Sequence, residues 1–297
     1  MVIAIIALLL AILIPTLGKA RRQARAVACQ VNLRQWGTTL ATVVEDNEGR
    51  FLRNFSMSPE ALTPVWILTG RYFGDWSGGD LHAAGQYHPV NTKGMLCPEA
   101  TKSGTIGRKL GGGFPYSYDI EPGDTSRAWV LELITKSEGR PDEVYVCSAS
   151  YGFNGWLFQR RRGPLTVEDK LEAMREDPPP SYTNIFLLRR PADVPLLLDC
   201  AKPSGSPTDA EPTPSEFVRF RDPEVILWGG GFGGFCMDRH SGHINGLFLD
   251  WSVRKVGLKE LWTLKWYETF NTANKWTKAG GVRPTDWPPW LRDFKDY

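Results

Sequence analysis

Four side chains that can bind a metal ion fall close together late in the chain: Asp238, His240, His243 and Asp250. Imidazole nitrogens and carboxylate oxygens are ligands for zinc and iron. However, the chain has only 4 histidines, and His240 and His243 lie on a segment whose composition predicts a loop. An aspartate at the start of a tight turn accepts hydrogen bonds from backbone amides two residues on. We therefore expect a structural hydrogen-bonding role, in which His240 ties the loop to a following hairpin, rather than a catalytic metal.

A second group of oxygen ligands, Asp119, Glu121 and Asp124, surrounds Pro122 and Gly123. Calcium is a hard cation that prefers carboxylate and carbonyl oxygens in such loops. The spacing matches no defined calcium loop, and the alternative is a solvated acidic turn. These three residues are the candidates for a calcium ion, and no other cofactor is expected.

The chain has 5 cysteines. Cys29 lies on an amphipathic segment, where we expect it to be a small buried hydrophobe. The others are Cys97, Cys147, Cys200 and Cys236. If the body folds outside the cytoplasm, these four can form two disulfides, in any of three pairings.

Tryptophan is unusually frequent, with 12 residues. Six of the late tryptophans have two possible roles. They either line a groove that binds a glycan or a protein partner, or they cover a sheet and anchor the C-terminal tail. They are Trp251, Trp262, Trp266, Trp276, Trp287 and Trp290. The formal net charge of +2 provides no general field for attracting nucleic acid. The sequence contains no phosphate-binding loop, nucleophile elbow or convincing acid pair, so we do not expect an enzyme.

These residues must be positioned by an unusually long first helix. Residues 1–14 are continuously apolar, Pro15 follows, and apolar residues then recur at steps of three and four as far as Val43. This period predicts one helix of about 45 residues, about 70 Å long, bent at Pro15 and stopped by Gly49. The apolar run alone gives about 21 Å, short of the roughly 30 Å hydrocarbon core of a bilayer. We interpret it as a membrane segment whose beginning lies upstream of Met1.

Beyond Phe51, short apolar runs alternate with Gly, Pro, Asn and Asp, which predicts strands. The predicted strands are residues 144–147, 185–188, 194–198, 225–227, 245–249 and 252–256, and a further helix is predicted over residues 167–176. A helix followed by strands indicates an α+β fold, with an antiparallel sheet against the amphipathic half of the helix. The predicted organisation is a helix over residues 1–48, of which 1–18 form the membrane or filament-core segment, and a globular body over residues 49–297.

The stretch VIAIIALLLAILIPTLGKARRQARAVACQVNLRQWG, residues 2–37, resembles the N-terminal segment of type IV pilin-like proteins, in particular type II secretion pseudopilins. The family has a proline where Pro15 stands. It also has a basic leader, a cleavage site and an assembly glutamate, which by this resemblance lie upstream of Met1.

A second match lies near the other end of the chain. His240 followed by Asp250 is similar to the His-x9-Asp-Gly motif at the C-terminal end of many large pseudopilin-like proteins. Leu96-Cys97-Pro98 and the segment from Ser150 to Asn154 also fit that class. Trp251 stands where the family has glycine, so its turn must avoid positive φ or tolerate strain. His240, Asp250 and Trp251 are therefore the residues of a structural motif.

The resemblance implies a pilin-like fold and a structural subunit of a type IV pilus or a type II secretion pseudopilus. Such a prepilin-like subunit is methylated and held by one transmembrane helix in the bacterial inner membrane, with its body in the periplasm or outside the cell. Its partners are other pilin-like subunits, membrane lipid, a prepilin peptidase and an assembly platform for protein transport, and none is a nucleic acid. The alternative is a membrane-anchored module that binds glycans or proteins outside the cell and does not polymerise. The residues assigned to the membrane and assembly helix are Val2, Ile3, Ile5, Ile6, Leu8, Leu9, Leu10, Ile12, Leu13, Ile14, Pro15 and Gly18.

Overall fold

The computed structural model describes residues 2–46, 48–49, 92–103, 116–135, 143–157, 184–211 and 231–297. A single long helix, α1, spans Val2–Asp46, 45 residues with Pro15 inside it, which confirms the predicted helix. Gly49 follows the end of α1 with a φ of +83°, and its amide donates to the carbonyl of Val44 at 2.8 Å. This bond is typical of a Schellman-type helix end, in which the residue before the donor takes a positive φ, and Glu48 does so with a φ of 56°. The helix therefore ends next to Gly49, as predicted.

The strands in the described residues form two sheets. Their bounds are β1 Lys102–Ser103, β2 Tyr116–Glu121, β3 Arg127–Thr135, β4 Glu143–Ala149, β5 Tyr151–Asn154, β6 Pro195–Asp199, β7 Ser204–Gly205, β8 His243–Phe248 and β9 Val253–Gly257. In the first sheet, β3 pairs antiparallel with β2 and β4 and parallel with β1. The second sheet has the order β7-β5-β6-β8-β9 and is antiparallel except between β5 and β7. The α+β class is confirmed, but the sheets are mixed rather than purely antiparallel.

Short 3₁₀ helices connect these elements. Their bounds are Thr92–Met95, Gly155–Leu157, Ile185–Leu187, Pro191–Asp193, Phe232–Gly234, Lys259–Thr263, Pro284–Asp286 and Pro289–Leu291.

The second sheet is covered on both faces. Successive residues of a strand point to opposite faces: Leu197 and Leu247 pack in the cluster that contains the buried side of α1, whereas Leu198 and Phe248 pack in a second cluster. Nine of the 19 buried residues of the second cluster come from the 258–297 tail, and five of these nine are aromatic. The sheet is therefore held between α1 and the C-terminal tail.

The buried face of α1 differs from the predicted stripe. Its fully buried residues are Cys29, Leu33, Trp36, Leu40 and Val44. Val27 and Val31, which the periodicity placed on the buried side, are 52% and 42% exposed. The apolar residues of α1 therefore lie on two faces of the helix. The face that carries Leu33 and Trp36 packs against the sheet, and the face that carries Val27 and Val31 is exposed.

Several strand predictions are confirmed, including those that correspond to β4, β6, β8 and β9. The predicted strand 185–188 is wrong, because a 3₁₀ helix covers Ile185–Leu187 and the Asn184 side chain caps it by accepting from the Phe186 amide at 2.8 Å. The predicted helix 167–176 and strand 225–227 lie outside the described residues.

Candidate functional site

Four buried side chains from distant parts of the sequence meet where α1 joins the body. Cys29 comes from α1, Cys97 follows the 3₁₀ helix Thr92–Met95, Asp199 ends β6, and His240 precedes β8. One ligand atom from each lies within 4.8 Å of the others. We call this group the Cys–Asp–His cluster.

Local structure explains why these side chains point inward. Cys29 precedes Leu33 and Trp36 on the buried side of α1, at the spacing of one helical face. All five residues of β6 are buried, so Asp199 at its end carries its carboxylate into the interior. The amide of His240 donates to the carbonyl of His243 at 3.0 Å, which holds the loop against the start of β8.

Asp199 is the centre of the cluster. Its Oδ1 lies 3.1 Å from Nη1 of Arg239, and its Oδ2 lies 3.1 Å from Nε2 of His240. Oδ2 also accepts the backbone amide of Asn245 at 2.8 Å. The side chains of Arg239 and Asp199 are both 0% exposed, so this is a fully buried ion pair, whose charges depend on each other for compensation.

Arg239 extends this network into three neighbouring segments. Its Nη1 donates to the carbonyl of Ser150 at 2.6 Å, and its Nη2 donates to the carbonyls of Asp124 at 2.8 Å and Cys200 at 3.5 Å. The fork of guanidinium donors is suited to holding several oxygens at once. Arg239 thereby fixes both sheets around Asp199.

Asn245 connects the cluster to α1. Its amide nitrogen Nδ2 donates to the carbonyl of Ala26 at 3.2 Å, and its Oδ1 accepts from Nε2 of Gln30 at 3.0 Å. The backbone of the same residue binds Asp199. A shift of α1 along the sheet would break these bonds, so they fix its register.

The charges of the cluster shift the pKa values of its acid and base in opposite directions. Burial opposes ionisation of Asp199, but the hydrogen bond from His240 and the charge of Arg239 outweigh it and lower the pKa to about 2. Burial also opposes protonation of His240, but its hydrogen bonds to Asp199 and Cys97 raise the pKa to about 10. His240 Nδ1 has no hydrogen-bond partner within the described part of the chain.

The two thiols differ from each other. Cys97 Sγ lies 3.4 Å from His240 Nε2, and Cys29 Sγ lies 3.6 Å from each oxygen of Asp199. Burial raises the pKa of Cys29 well above its ordinary value, as does its hydrogen bond with Cys97. Burial acts in the same direction on Cys97, but the hydrogen bonds from Cys29 and His240 outweigh it and lower its pKa to about 7.

This arrangement does not form a nucleophilic triad. In such a triad the acid binds one imidazole nitrogen and the nucleophile binds the other. Here Asp199 and Cys97 both face Nε2 of His240. Cys97 is also 0% exposed, so its thiol offers no attack path to a substrate. The cluster can hold a metal ion or hold elements together by hydrogen bonds.

The His240 ring does not tie the loop to the following hairpin, as the sequence predicts, because its Nε2 faces Asp199 and Cys97 instead. Asp238 accepts from the Gly242 amide at 2.6 Å, and Asp250 accepts from the Ser252 amide at 3.0 Å. Asp250 therefore does form the predicted turn between two strands. Trp251 has a φ of +65°, so this turn does not avoid positive φ, and the chain tolerates the strain.

The calcium candidates remain a prediction. Asp124 Oδ1 accepts from the amides of Ser126 and Arg127 at 2.7 and 2.8 Å, so this oxygen stabilises a turn. Glu121 ends β2, and the side chain of Asp119 lies outside the described residues.

The cysteine predictions need correction. Cys97, Cys200 and Cys236 are buried free thiols in the structure, so the two predicted disulfides are not formed in it, and the side chain of Cys147 lies outside the described residues. Cys29 is buried as predicted, but its thiol contacts polar groups rather than only apolar ones. Packing brings Cys29 and Cys97 together, which spacing along the chain does not reveal.

The late tryptophans mainly cover the sheet. Trp262, Trp266 and Trp287 are at most 1% exposed, and Trp276 and Trp290 pack against the same cluster. Trp251 packs against the cluster on the α1 side. Buried indoles cannot stack on a glycan, so the structure favours the covering role for the first three.

The first part of α1 contrasts with this packed interior. The assigned apolar residues whose side chains the structure describes are all exposed, with Ile3 at 82% and Leu10 at 46%. Pro15 is exposed and Gly18 half-buried, while the side chain of Leu8 lies outside the described residues. Within the part of the chain that the structure describes, no helix is both long enough and apolar enough to cross a membrane.

The sequence indicates a structural role for His240 but not the partners that surround it. Two sequence features are consistent with buried partners: the polar Asp199 ends a continuous apolar run, and Cys97 lies directly before a proline. Neither residue indicates by itself that both meet Cys29. Comparison with protein-family models, with curated proteins and with solved structures finds no match to this chain.

Proposed function

We propose that this protein is a structural subunit of a filament of the type IV pilus or type II secretion pseudopilus class. Before assembly, the first part of α1 lies in the bacterial inner membrane and the body lies outside the cytoplasm. During assembly, the helices of successive copies leave the lipid and pack together as the core of the filament. The proposal includes processing by a prepilin peptidase, methylation of the new N-terminus and an assembly platform in the membrane.

The division of α1 into two halves carries this proposal. From Cys29 to Val44, one side of the helix is completely buried against the body. From Val2 to Leu17, large apolar side chains are exposed, including Ile3, Leu9 and Ile14 at 82%, 62% and 66%. A helix anchored firmly at one end and apolar at the other presents the second part for contacts outside its own chain.

The exposed apolar length fits packing against other copies of the chain. Burying a large aliphatic side chain is worth about 1.5–3 kcal/mol, and about a dozen such residues lie between Val2 and Leu17. Left in water, this surface is far more apolar than an ordinary monomer exposes. Lipid covers it before assembly, and the same helices of neighbouring copies cover it in the filament.

Charge marks the end of this apolar part. Lys19, Arg21 and Arg22 follow it and are exposed, and Arg25 lies 3.1 Å from Glu99 on the body. Basic side chains at this position can contact lipid headgroups before assembly and acidic groups of neighbouring subunits afterwards.

Deletion of residues 2–18 tests the proposal. The remaining helix keeps its whole buried face, so the shortened chain should fold as a soluble monomer that no longer joins filaments. A matched control exchanges Val27 and Val31 for alanine, since both are exposed on α1 but lie outside the deleted part.

Negative-stain microscopy of cells and purified assemblies gives the readout. Filaments from the full chain and the control, and none from the deletion, support the proposal. Assembly by the deletion variant would contradict it, as would a full-length chain that stays monomeric in the membrane, which is the behaviour of the non-polymerising binding module.

A further inference from the structure

We infer that Cys29, Cys97, Asp199 and His240 bind one zinc ion, which fastens α1 to the body of the protein. This inference does not depend on the proposed filament. It replaces the sequence-based expectation that the chain carries no transition metal. The four side chains supply two sulfurs, one oxygen and one nitrogen, a set that suits a borderline-soft, four-coordinate ion.

Three of the six distances between the ligand atoms agree with a tetrahedral site, and all six lie within 4.8 Å. Zinc–sulfur bonds are about 2.3 Å long, and zinc–nitrogen and zinc–oxygen bonds are about 2.0–2.2 Å long. At the tetrahedral angle, these bonds place a sulfur ligand about 3.6 Å from an oxygen or nitrogen ligand, and a nitrogen ligand about 3.4 Å from an oxygen ligand. The observed separations are 3.6 Å for Cys29 Sγ to Asp199 Oδ2, 3.4 Å for Cys97 Sγ to His240 Nε2 and 3.1 Å for His240 Nε2 to Asp199 Oδ2.

Hydrogen bonding in this arrangement leaves single protons shared between two acceptors. His240 Nε2 carries at most one proton, yet it faces both Asp199 Oδ2 and Cys97 Sγ. Cys29 likewise has one thiol proton and faces both oxygens of Asp199. A cation among the four atoms would contact a lone pair of each at the same time.

Two of the four ligands, Asp199 and Cys29, have outer contacts of the kind that support a metal site. Arg239 holds Oδ1 of Asp199 at 3.1 Å and the Asn245 amide holds Oδ2 at 2.8 Å, so the carboxylate is oriented from outside the cluster. Tyr151 Oη lies 3.5 Å from Cys29 Sγ and donates to it. Such outer contacts orient metal ligands and tune their basicity.

The charges balance when zinc binds. Each thiol and Nε2 of His240 lose a proton to solvent and form a bond to the ion, so three protons leave as one divalent cation enters. His240 is then a neutral imidazole with its remaining proton on Nδ1. Two thiolates and one carboxylate then carry three negative charges, and zinc and Arg239 carry three positive ones. The buried cluster has no net charge, as a low-dielectric interior requires.

Zinc at this position would connect distant parts of the chain. Cys29 and Asp199 are separated by 170 residues, and Cys97 and His240 by 143. Metal binding in such a site contributes directly to folding, because the ligands are brought together only in the folded state. The ion would therefore keep α1 in place when force is applied along it.

The first experiment uses the full chain, purified in detergent from cells grown with added zinc and without chelator. After dialysis we expect one zinc per chain by elemental analysis. Exchange for cobalt should give visible d–d bands of tetrahedral intensity and a thiolate-to-cobalt charge-transfer band. Removal of zinc by a chelator should lower the melting temperature, and added zinc should restore it.

Variants identify the ligands. Cys97→Ser and His240→Gln should both lose the bound zinc. With cobalt, Cys97→Ser should weaken the thiolate-to-cobalt charge-transfer band, and His240→Gln should weaken the d–d bands. Their matched controls are Cys236→Ser, which also removes a buried thiol, and His243→Gln, which also removes a nearby imidazole; both should keep one zinc per chain. If a ligand variant fails to fold, the cobalt spectrum of the unmodified chain still decides.

Two results would overturn the inference. One is a folded, unmodified chain that holds neither zinc nor cobalt. The other is a disulfide between Cys29 and Cys97 in the native protein, detected by counting thiols after unfolding without reductant. A chain that forms filaments but gives either of these two results would overturn the metal site alone and leave the proposed function standing.

Discussion

Replacing Asp199 with asparagine tests whether the buried charges hold the interior together. Asparagine has nearly the same shape and still offers an oxygen to the Asn245 amide, so the main loss is the negative charge beside Arg239. Removing one partner of a buried ion pair costs about 3–5 kcal/mol, because the other charge remains buried without compensation. We expect Asp199→Asn to lower the free energy of unfolding by that amount.

The control is an ion pair on the surface. Arg25 and Glu99 lie 3.1 Å apart, but the Arg25 side chain is 52% exposed. Exposed pairs contribute about 0–1 kcal/mol, so Glu99→Gln should have little effect. Urea unfolding of the full chain, followed by tryptophan fluorescence with a chelator present, compares the variants without any contribution from bound metal.

A double variant separates the orphaned charge from other losses. Adding Arg239→Met to Asp199→Asn removes the uncompensated guanidinium and should recover part of the lost stability. A cost below about 1 kcal/mol for Asp199→Asn alone would refute the reasoning.

Three further predictions concern backbone conformation and pH. At Trp251, where φ is +65°, the glycine variant should be more stable than the alanine variant by about 1 kcal/mol, the reverse of the usual order, in thermal unfolding. Gly49→Ala should lower the melting temperature, because φ at this position is +83° and the new Cβ would collide with a neighbouring side chain. Its control, Gly18→Ala, should raise the melting temperature, because the new Cβ would meet no atom within 4 Å and alanine favours the helix. Burial and the 2.7 Å hydrogen bond to Asp209 raise the pKa of Tyr267 to about 12, above the value of about 10 that is usual for tyrosine. The stability that this shift contributes is therefore fully present below a pH of about 10 and is lost as the pH rises toward 12. The difference in free energy of unfolding between the unmodified chain and Tyr267→Phe should therefore shrink from pH 9 to pH 11, and a constant difference would contradict it.

The sequence predicted the features that depend on local pattern. The length of α1 follows from a helical period that continues across Pro15, and the β8–β9 hairpin follows from apolar runs on each side of Asp250. The same local reasoning failed at Ile185–Leu187, where the Asn184 cap stabilises a 3₁₀ helix in place of a strand.

The buried face of α1 and the cluster depend on tertiary packing instead. Val27 and Val31 satisfy the helical period as well as Leu33 does, and only the position of the sheet decides which of them is buried. Cys97 and Asp199 each lie far from Cys29 in the sequence, so no spacing rule connects them. The candidate site therefore becomes apparent only when the body is folded against the helix.

Photo-crosslinking through α1 tests the filament proposal most directly. A photoreactive amino acid replaces Leu10, which is 46% exposed in the apolar part of the helix, and cells that assemble filaments are irradiated. We expect a ladder of covalent multimers whose joined peptides both come from residues 2–18. The ladder should be lost when the same chain is held as a monomer in detergent. Adducts only to lipid or to unrelated proteins, with no joined helices, would contradict it.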